Sequence, residues 1–392
     1  MHVHKEHRPR IFWRKGVVAV ATAVALAVTA VPAAAEGEAK QSGWVVVPGL
    51  DIAGASSLNG VAAFGDTAVL AVGSQGVAGT PSERALTARW NGWKWVEVAA
   101  PTDIGLFSVS GTGSSDAWAV GSTDDASESV ILRWNGSRWT AVPHVAATPD
   151  APVGLSAVEA LSPTGAWAVG FRGSLFDATG HAQRWNGTRW TETAVPQPTG
   201  VMTAILTSAS GTSSNNVWAT GFAIGETGYT PYFARWNGSK WSLVVPPSNI
   251  SGGYTDIEMT GTNSFIAVGA TLTEDSPDPV PVVASYTGGT WKQEPLPVAN
   301  AELNAVTADG NGNVWVAGNL IGPEGLHDTD PLILRRTNGQ WSVAATPVAE
   351  PGVLRDVQAV PNRGGVWAVG ATSEEVLRHE AHEHLILGYG VD

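Results

Sequence analysis

A histidine- and glutamate-rich segment near the C-terminus of this 392-residue chain carries the side chains best suited to metal binding. The sequence from His379 to His384 reads HEAHEH, and imidazole together with carboxylate suits Zn²⁺, Ni²⁺ or Cu²⁺. In an extended segment His382 and His384 would share a face, whereas in a helical turn His379 and Glu383 would pair. The spacing differs from the HExxH helix of metalloproteases. We predict a metal site at His379, His382, Glu383 and His384, with a charged loop that binds metal adventitiously as the alternative.

A second set of polar side chains occupies the innermost strand of the repeats described below. They are Glu159, Asp256, Glu258, Asn304, Arg355, Asp356 and Gln358. Enclosed carboxylates could act as general acid or base only if burial raised the pKa of one of them. These residues predict either a polar ligand pocket on a central channel or a channel whose polar groups are structural.

Trp93 is the third candidate, because it occupies a hairpin tip where other repeats have Ser137, Thr188 or Ser239. A tryptophan there could contact a ligand or pack locally in its turn.

The chain that carries these candidate residues contains a sequence motif that returns seven times. Trp118-Ala-Val-Gly121 is one copy, and the glycines that close the copies are Gly73, Gly121, Gly170, Gly221, Gly269, Gly318 and Gly370, spaced 48 to 52 residues apart. A period near 50 residues with short strands is typical of a β-propeller, in which each repeat is one four-stranded blade. A turn followed by tryptophan comes after each of the first six copies, as in Trp134-Asn-Gly-Ser-Arg-Trp139, and the Asn-Gly pair of that copy predicts a type I′ turn.

The tryptophan of the outermost strand is offset from the glycine motif, because Trp44 precedes any inner strand and the last repeat stops after its third strand. We therefore predict an all-β, seven-bladed β-propeller over residues 44–392, in which residues 44–48 pair with 385–389 to close the last blade. The recurring tryptophans are predicted to pack blade against blade.

In this strand order the connections from second to third strand and from outer to next inner strand lie on one face, here called the long-loop face. The other, tight-turn face carries only short turns such as Ser114-Ser115. The second-to-third connections are rich in acidic residues, for example Asp124, Asp125 and Glu128. They predict binding of a cation or of a basic partner, or only a solvated rim, and Ca²⁺ or Zn²⁺ is the cofactor considered; otherwise no cofactor is expected.

The N-terminal segment has the three parts of a secretory signal over residues 1–35: basic residues, an apolar run from Gly16 to Val31, and small residues at Ala33-Ala34-Ala35. An uncleaved anchor is the alternative. Residues 36–43 would be a linker, and the mature chain would be secreted or surface-bound, without a membrane span and as a monomer. A net charge of −13 argues against nucleic acid as a partner. The chain contains no cysteine, which excludes disulfides and thiolate metal sites.

The pattern D-A-W-A-V-G followed by L-R-W-N-G-x-x-W resembles the WAVG/RWNG-repeat propellers of secreted actinobacterial proteins, which are similar to kelch and Asp-box propellers. The resemblance covers residues 44–392 and implies the fold, but it brings no catalytic residues, since most of these proteins have no assigned function. A galactose oxidase-like site would need a cysteine, and a sialidase would need Asp boxes that this sequence does not contain.

Three functions remain open, one of which is a metal-dependent envelope factor that uses residues 379–384. The first is a non-catalytic binding propeller that recognises an extracellular protein or a cell-wall glycan through the long-loop face. The alternative is a secreted hydrolase, lyase or lactonase with a channel site, either metal-dependent or not, for which Glu159, Asp256, Glu258 and Asp356 are the candidates.

Overall fold

Seven four-stranded antiparallel sheets make up the described part of the chain. The computed structural model describes residues 43–76, 83–148, 150–174, 177–225, 228–273, 276–323, 325–372 and 383–391. The innermost strands of consecutive sheets contact one another in cyclic order, and the last contacts the first. The sheets are therefore blades of a closed ring, and the predicted seven-bladed β-propeller is confirmed. No helix within these residues could cross a membrane. The predicted signal peptide (1–35) and most of the linker (36–43) lie outside the described residues.

Blades 1 to 6 each consist of four consecutive strands that run from the inner to the outer edge. The strands are β1 (Trp44–Val46); in blade 1 β2 (Ser56–Gly65), β3 (Ala68–Gln75), β4 (Arg84–Trp90) and β5 (Trp95–Glu97); in blade 2 β6 (Leu106–Gly113), β7 (Asp116–Ser122), β8 (Ser129–Trp134) and β9 (Trp139–Ala141); in blade 3 β10 (Val153–Ser162), β11 (Gly165–Arg172), β12 (Thr179–Trp185) and β13 (Trp190–Glu192); in blade 4 β14 (Val201–Ser213), β15 (Asn216–Gly225), β16 (Gly228–Trp236) and β17 (Trp241–Val244); in blade 5 β18 (Gly253–Gly261), β19 (Ser264–Thr273), β20 (Ser276–Thr287) and β21 (Thr290–Gln293); in blade 6 β22 (Ala301–Ala308), β23 (Val314–Gly322), β24 (Gly325–Thr337) and β25 (Gln340–Ala344); and in blade 7 β26 (Gly352–Ala359), β27 (Val366–Thr372) and β28 (His384–Tyr389).

The first strand of the chain completes the last blade, as predicted. Trp44 is paired with Tyr389 and Val46 with Leu387, and the Val47 N–H donates to the Ile386 carbonyl at 2.9 Å. Both ends of the chain are thus held in one sheet, which leaves no open gap in the ring.

Tryptophan layers hold neighbouring blades together. Trp118 of blade 2 is fully buried, and its ring centroid lies 4.9 Å from that of Trp185 and 5.1 Å from that of Trp190 in blade 3. The Arg133 guanidinium covers the Trp118 ring at 5.0 Å. Such aromatic contacts add to the burial of large apolar surfaces, so the repeated residues stabilise interfaces between blades rather than single blades.

The glycine that closes each motif is required by close packing of two strands. A Cβ on Gly121 would overlap the carbonyl oxygen of Gly105 on the adjoining strand. The motif therefore ends in glycine because the inner and second strands approach too closely there for any side chain.

The predicted type I′ turn at Asn135-Gly136 is wrong. Of these two residues only Gly136 has a positive φ, and four residues separate the paired Trp134 and Trp139. The Asn135 Oδ1 accepts the N–H groups of Ser137 and Arg138, each at 3.0 Å, so the side chain stabilises a longer loop.

True two-residue turns occur in blades 5 and 6 instead. Thr287 is paired with Thr290 across Gly288-Gly289, and Thr337 is paired with Gln340 across Asn338-Gly339. In both pairs the two central residues have positive φ, as a type I′ turn requires.

Candidate functional site

The predicted channel residues form hydrogen bonds between blades. The Asp256 carboxylate accepts the N–H of Val306 in the next blade at 2.8 Å, and Asp356 accepts the N–H of Val61 at the same distance, across the ring closure. Ser108 is at the equivalent position of blade 2 and accepts the N–H of Val158 at 3.2 Å. In blades 2, 5 and 7 the same position of the inner strand thus serves as an acceptor for the following blade, whereas blades 1, 3 and 6 have Gly60, Ala157 and Ala305 there.

A second rung lies two residues further along the inner strands. Glu159 accepts the Gly211 N–H at 3.2 Å and the Ser110 hydroxyl at 3.1 Å. Ser210 donates its hydroxyl to Glu258 at 3.2 Å. The sequence alone did not draw attention to these serines, although they occupy the same strand positions as the acids. Serine and acid alternate at this position in blades 2 to 5, and both kinds of side chain reach a backbone N–H.

The two acids of the second rung, Glu159 and Glu258, have pKa values that are raised towards neutral pH. Burial raises the pKa of Glu159 to about 7 and the pKa of Glu258 to about 8, and the mutual repulsion of the channel acids adds to the second shift. By surface area both side chains are only half-buried because they face the channel, but protein surrounds them otherwise. The sequence-based condition for acid–base chemistry, a carboxyl with a raised pKa, is therefore met at two residues.

Another polar cluster lies on the inner part of blade 6, towards the long-loop face. Asn304 donates to the Leu354 carbonyl at 2.8 Å and to the Asn319 Oδ1 at 3.3 Å. Burial raises the pKa of Glu302 to about 7, while Asn319 and the charge of Arg355 lower it in part. The Asn319 Nδ2 makes no hydrogen bond of good geometry, so Asn319 lowers the pKa of Glu302 only because its amide lies close to that carboxyl. The sequence analysis identified Asn304 and Arg355, but not Glu302 or Asn319.

Of the predicted metal ligands, His379 and His382 lie outside the described residues. Glu383 is exposed. His384 is half-buried: its Nε2 accepts the Leu50 N–H at 2.8 Å and its Nδ1 contacts the Ser56 Oγ at 2.9 Å. Burial lowers the pKa of His384, which favours the neutral ring that these contacts need. The ring thus links blade 7 to the start of blade 1. Within the described residues no group of three histidine or acidic side chains is arranged to hold a metal ion.

Three neighbouring blades extend further on the long-loop face than the sequence predicted. Their second and third strands continue as hairpins up to the pairs Gly225–Gly228, Thr273–Ser276 and Gly322–Gly325. In blade 2 the corresponding strands end at Ser122 and begin again at Ser129. We call the described extended parts of blades 4, 5 and 6 the projecting hairpins (222–225 with 228–231, 270–273 with 276–281, and 319–323 with 325–331).

The projecting hairpins are acidic and contain no lysine or arginine. In the sequence, the acids within these segments or between their paired strands are Glu226, Glu274, Asp275, Asp278, Glu324, Asp328 and Asp330, of which Glu226, Glu274, Asp275 and Glu324 lie outside the described residues. Large apolar side chains are exposed beside them: Met202 is 61% exposed, Val245 78% and Val280 39%. An exposed apolar group within an acidic surface is a feature of interaction sites.

Trp93 lies on the opposite, tight-turn face, at the β4–β5 hairpin tip. Trp93 is 84% exposed, whereas its backbone N–H donates to the Asn91 Oδ1 at 3.0 Å. The ring is therefore open to solvent rather than packed in its own turn.

The fold and the polar channel define a seven-bladed β-propeller with candidate sites on both faces and along its axis. No protein-family model matches the sequence, and no curated protein is similar enough in sequence to match it. Solved structures do share the fold. A structure described as YCF48 bound to D1 peptide has 13% identity and a TM-score of 0.55, covering 89% of this chain and 96% of that one.

Two solved lyase structures match this chain with TM-scores close to that of the YCF48 structure. A streptogramin B lyase has 17% identity and a TM-score of 0.57, covering 88% of this chain and 96% of its own. A catalytically inactive variant of virginiamycin B lyase from Staphylococcus aureus, with quinupristin, has 12% identity and a TM-score of 0.58, covering 88% of this chain and 98% of its own. Identities this low show the fold alone.

Proposed function

We propose that this protein is a secreted, non-catalytic binding propeller that recognises an extracellular protein or a cell-wall glycan through its long-loop face. The observation that carries this proposal is the row of projecting hairpins on three consecutive blades. They combine acidic sequence with exposed Met202, Val245 and Val280 on a rigid ring. Binding residues are commonly carried by segments that a rigid scaffold positions.

The contacts of the channel acids support binding rather than catalysis. Asp256, Asp356 and Glu159 each accept a backbone N–H from another blade. A side chain engaged in holding blades together has little freedom to move a proton on a substrate. The backbone contacts of these three acids thus give them a structural role in the ring.

A protein with basic and apolar groups on its surface fits the projecting hairpins best. Charge complementarity would steer such a partner, and the exposed apolar side chains would be buried on contact. The structure of YCF48 with a peptide is one case of a propeller of this fold that binds a protein segment.

Strand addition is disfavoured on the hairpin of blade 5. The Val283 carbonyl accepts the Glu294 N–H at 2.8 Å, so residues at alternate positions from Val283 point their backbone groups to the open edge. The next such position, before the register shift of this hairpin, is Pro281, which has no N–H to donate. A partner would therefore bind this hairpin through side chains.

Charge neutralisation of the hairpins tests the proposal. The seven hairpin acids are changed to Asn or Gln, and binding to surface proteins and to cell walls of the source cells is compared with the wild-type protein. Asp66→Asn with Glu97→Gln, away from the hairpins, is the control. We expect at least a tenfold loss with the hairpin variant alone, rising at low salt. Equal binding by all three proteins would contradict the assignment to this face.

Secretion is tested separately. N-terminal sequencing of protein recovered from the culture medium should begin just after Ala35, at Glu36. Retention in the cell membrane with an intact N-terminus would instead support the uncleaved anchor.

Lyase or hydrolase activity is the second candidate, and the raised pKa values of Glu159 and Glu258 favour it. Quinupristin is the first substrate to try, because a lyase of the same fold was solved with it. Turnover that Glu258→Gln abolishes, with the fold unchanged, would establish the channel as an active site. Turnover that survives both Glu159→Gln and Glu258→Gln would exclude these acids.

A further inference from the structure

A cavity of about 300 Å³ lies on the tight-turn face between blades 1 and 2. Its walls include Phe64, Leu70, Arg89, Ser114, Ser115 and Trp134. It lies away from the long-loop face and is unrelated to the channel acids, so it does not depend on the function proposed above.

The repeat explains why this cavity exists. At the interface between blades 2 and 3, Trp118 packs 4.9 Å from Trp185, and the Arg133 guanidinium lies within 5.7 Å of both rings. The equivalent positions between blades 1 and 2 are Leu70, Trp134 and Arg89. The guanidinium and the third-strand tryptophan are retained, but the indole between them is replaced by a leucine.

The interface between blades 5 and 6 shows what a compensated replacement looks like. All three positions have changed there, to Ile266, Ser285 and Arg336. Arg336 now pairs with Glu294 of blade 5 at 3.4 Å, and Ser285 donates to the same carboxylate at 2.7 Å. Blade 1 has no such exchange, because only the tryptophan has been lost.

We infer that the cavity between blades 1 and 2 is a binding site for a planar aromatic ring. Such a ring would take the place of the missing indole, over Leu70 and beside Trp134, with the Arg89 guanidinium on its face. Leu70 and Trp134 form a buried floor, whereas Arg89, Ser114 and Ser115 at the rim are exposed. Apolar cavities of about 150 Å³ already bind benzene, so the volume is sufficient.

The ring could be carried by a free aromatic molecule or by a second copy of the chain. Trp93 is the internal source, because it belongs to the same face of blade 1 and its side chain is 84% exposed. Gly92, next to it, approaches Thr67, which is itself part of the cavity wall. The chemistry is the same in both cases, and the experiment separates them.

Indole is the probe, measured by calorimetry, with cyclohexanol as the non-planar control. Wild-type protein should bind indole saturably and cyclohexanol at least tenfold more weakly. Leu70→Trp restores the repeat and should abolish binding, because its own ring fills the cavity. Arg89→Ser, the residue found in blade 5, should weaken binding several-fold, whereas Arg133→Ser at the filled interface should leave it unchanged.

Sedimentation then identifies the source of the ring. A dimer that both Trp93→Ser and Leu70→Trp dissociate assigns the ring to a second copy; indole binding by a monomer assigns it to an external molecule. The inference is overturned if indole binds Leu70→Trp as well as wild type. It is also overturned if wild-type protein neither binds indole nor forms a dimer sensitive to Leu70→Trp.

Discussion

The interface between blades 2 and 3 and the interface between blades 1 and 2 use the same three positions with different results. In the first, Trp118 lies between Arg133 and Trp185 and is fully buried. In the second, Leu70 leaves a cavity of about 300 Å³ beside Trp134. A single departure from a repeat therefore leaves its former neighbours in place around an opening, whereas the concerted departure between blades 5 and 6 joins the changed positions through Glu294. Sites in repeat proteins can be sought where one member of a packing set is missing.

The largest expected effect comes from copying the blade 1 arrangement into blade 2. Trp118→Leu removes a buried indole from between two aromatic neighbours and should lower the free energy of unfolding by about 2–4 kcal/mol. Urea denaturation measures the change. The variant should also gain indole binding at the new cavity. A loss below about 1 kcal/mol would mean that the interface repacks and that the comparison between the two interfaces does not hold.

The arginines of the two interfaces should differ next. Arg133→Ser removes a guanidinium stacked on Trp118 and an ion pair with Asp116 at 3.0 Å, and we expect a cost of about 1 kcal/mol. Arg89→Ser should cost less than about 0.5 kcal/mol, since Arg89 is exposed beside a leucine. Equal losses of unfolding free energy for the two variants in urea denaturation would contradict the view that Arg89 has no tryptophan ring to stack on.

The channel acid Glu258 allows a test of stability that does not involve the aromatic contacts between blades. Since burial raises the pKa of Glu258 from 4.5 to about 8, its contribution is fully present below pH 4.5 and is lost as the pH rises through about 8. Glu258→Gln keeps an acceptor and should flatten this decline, adding about 1 kcal/mol at pH 8. Melting temperatures from pH 4.5 to 8.5 measure it, and an unchanged slope would contradict the raised pKa.

The smallest effect is expected from completing the repeat in blade 1. Leu70→Trp fills the cavity and should stabilise the protein by about 0.5–1 kcal/mol. Its matched partner is Leu70→Met, which adds no ring and should stay within about 0.5 kcal/mol of wild type. A destabilisation above about 1 kcal/mol in Leu70→Trp would show that Phe64 already occupies the space of the indole.

The Asn-Gly dipeptide coincides with a two-residue turn at one place in this chain but not at another. The Asn-Gly dipeptide predicts a two-residue turn at both Asn135-Gly136 and Asn338-Gly339, but only the second forms one. In the first, the register of Trp134 with Trp139 leaves four residues in the loop, and the Asn135 side chain satisfies their N–H groups. Arg336 and Trp341 are paired across the same four-residue spacing, but there the Asn-Gly pair lies one position later in the loop, so its place within the loop distinguishes the two turns.

The candidate sites were predictable only in part. The sequence placed Glu159, Asp256 and Asp356 on the inner strands, but their hydrogen-bond partners are backbone groups of the neighbouring blade, 50 or more residues away. The sequence predicts loops where the projecting hairpins lie, because Gly, Pro and acidic residues are frequent there. The sequence marks Trp93 as a departure from the repeat, but it gives no sign of the cavity on the same face.

The sequence by itself determined the number of blades, the order of strands and the closure of the ring. Each repeat carries its own tryptophans and close-packing glycine, and Trp44 supplies the strand that the last repeat lacks. Only the tertiary structure decided what the polar channel residues hold, how far the hairpins of blades 4 to 6 project, and that Leu70 opens a cavity. Those properties depend on groups brought together from different repeats, and a repeat pattern specifies each blade but not the exceptions at its borders.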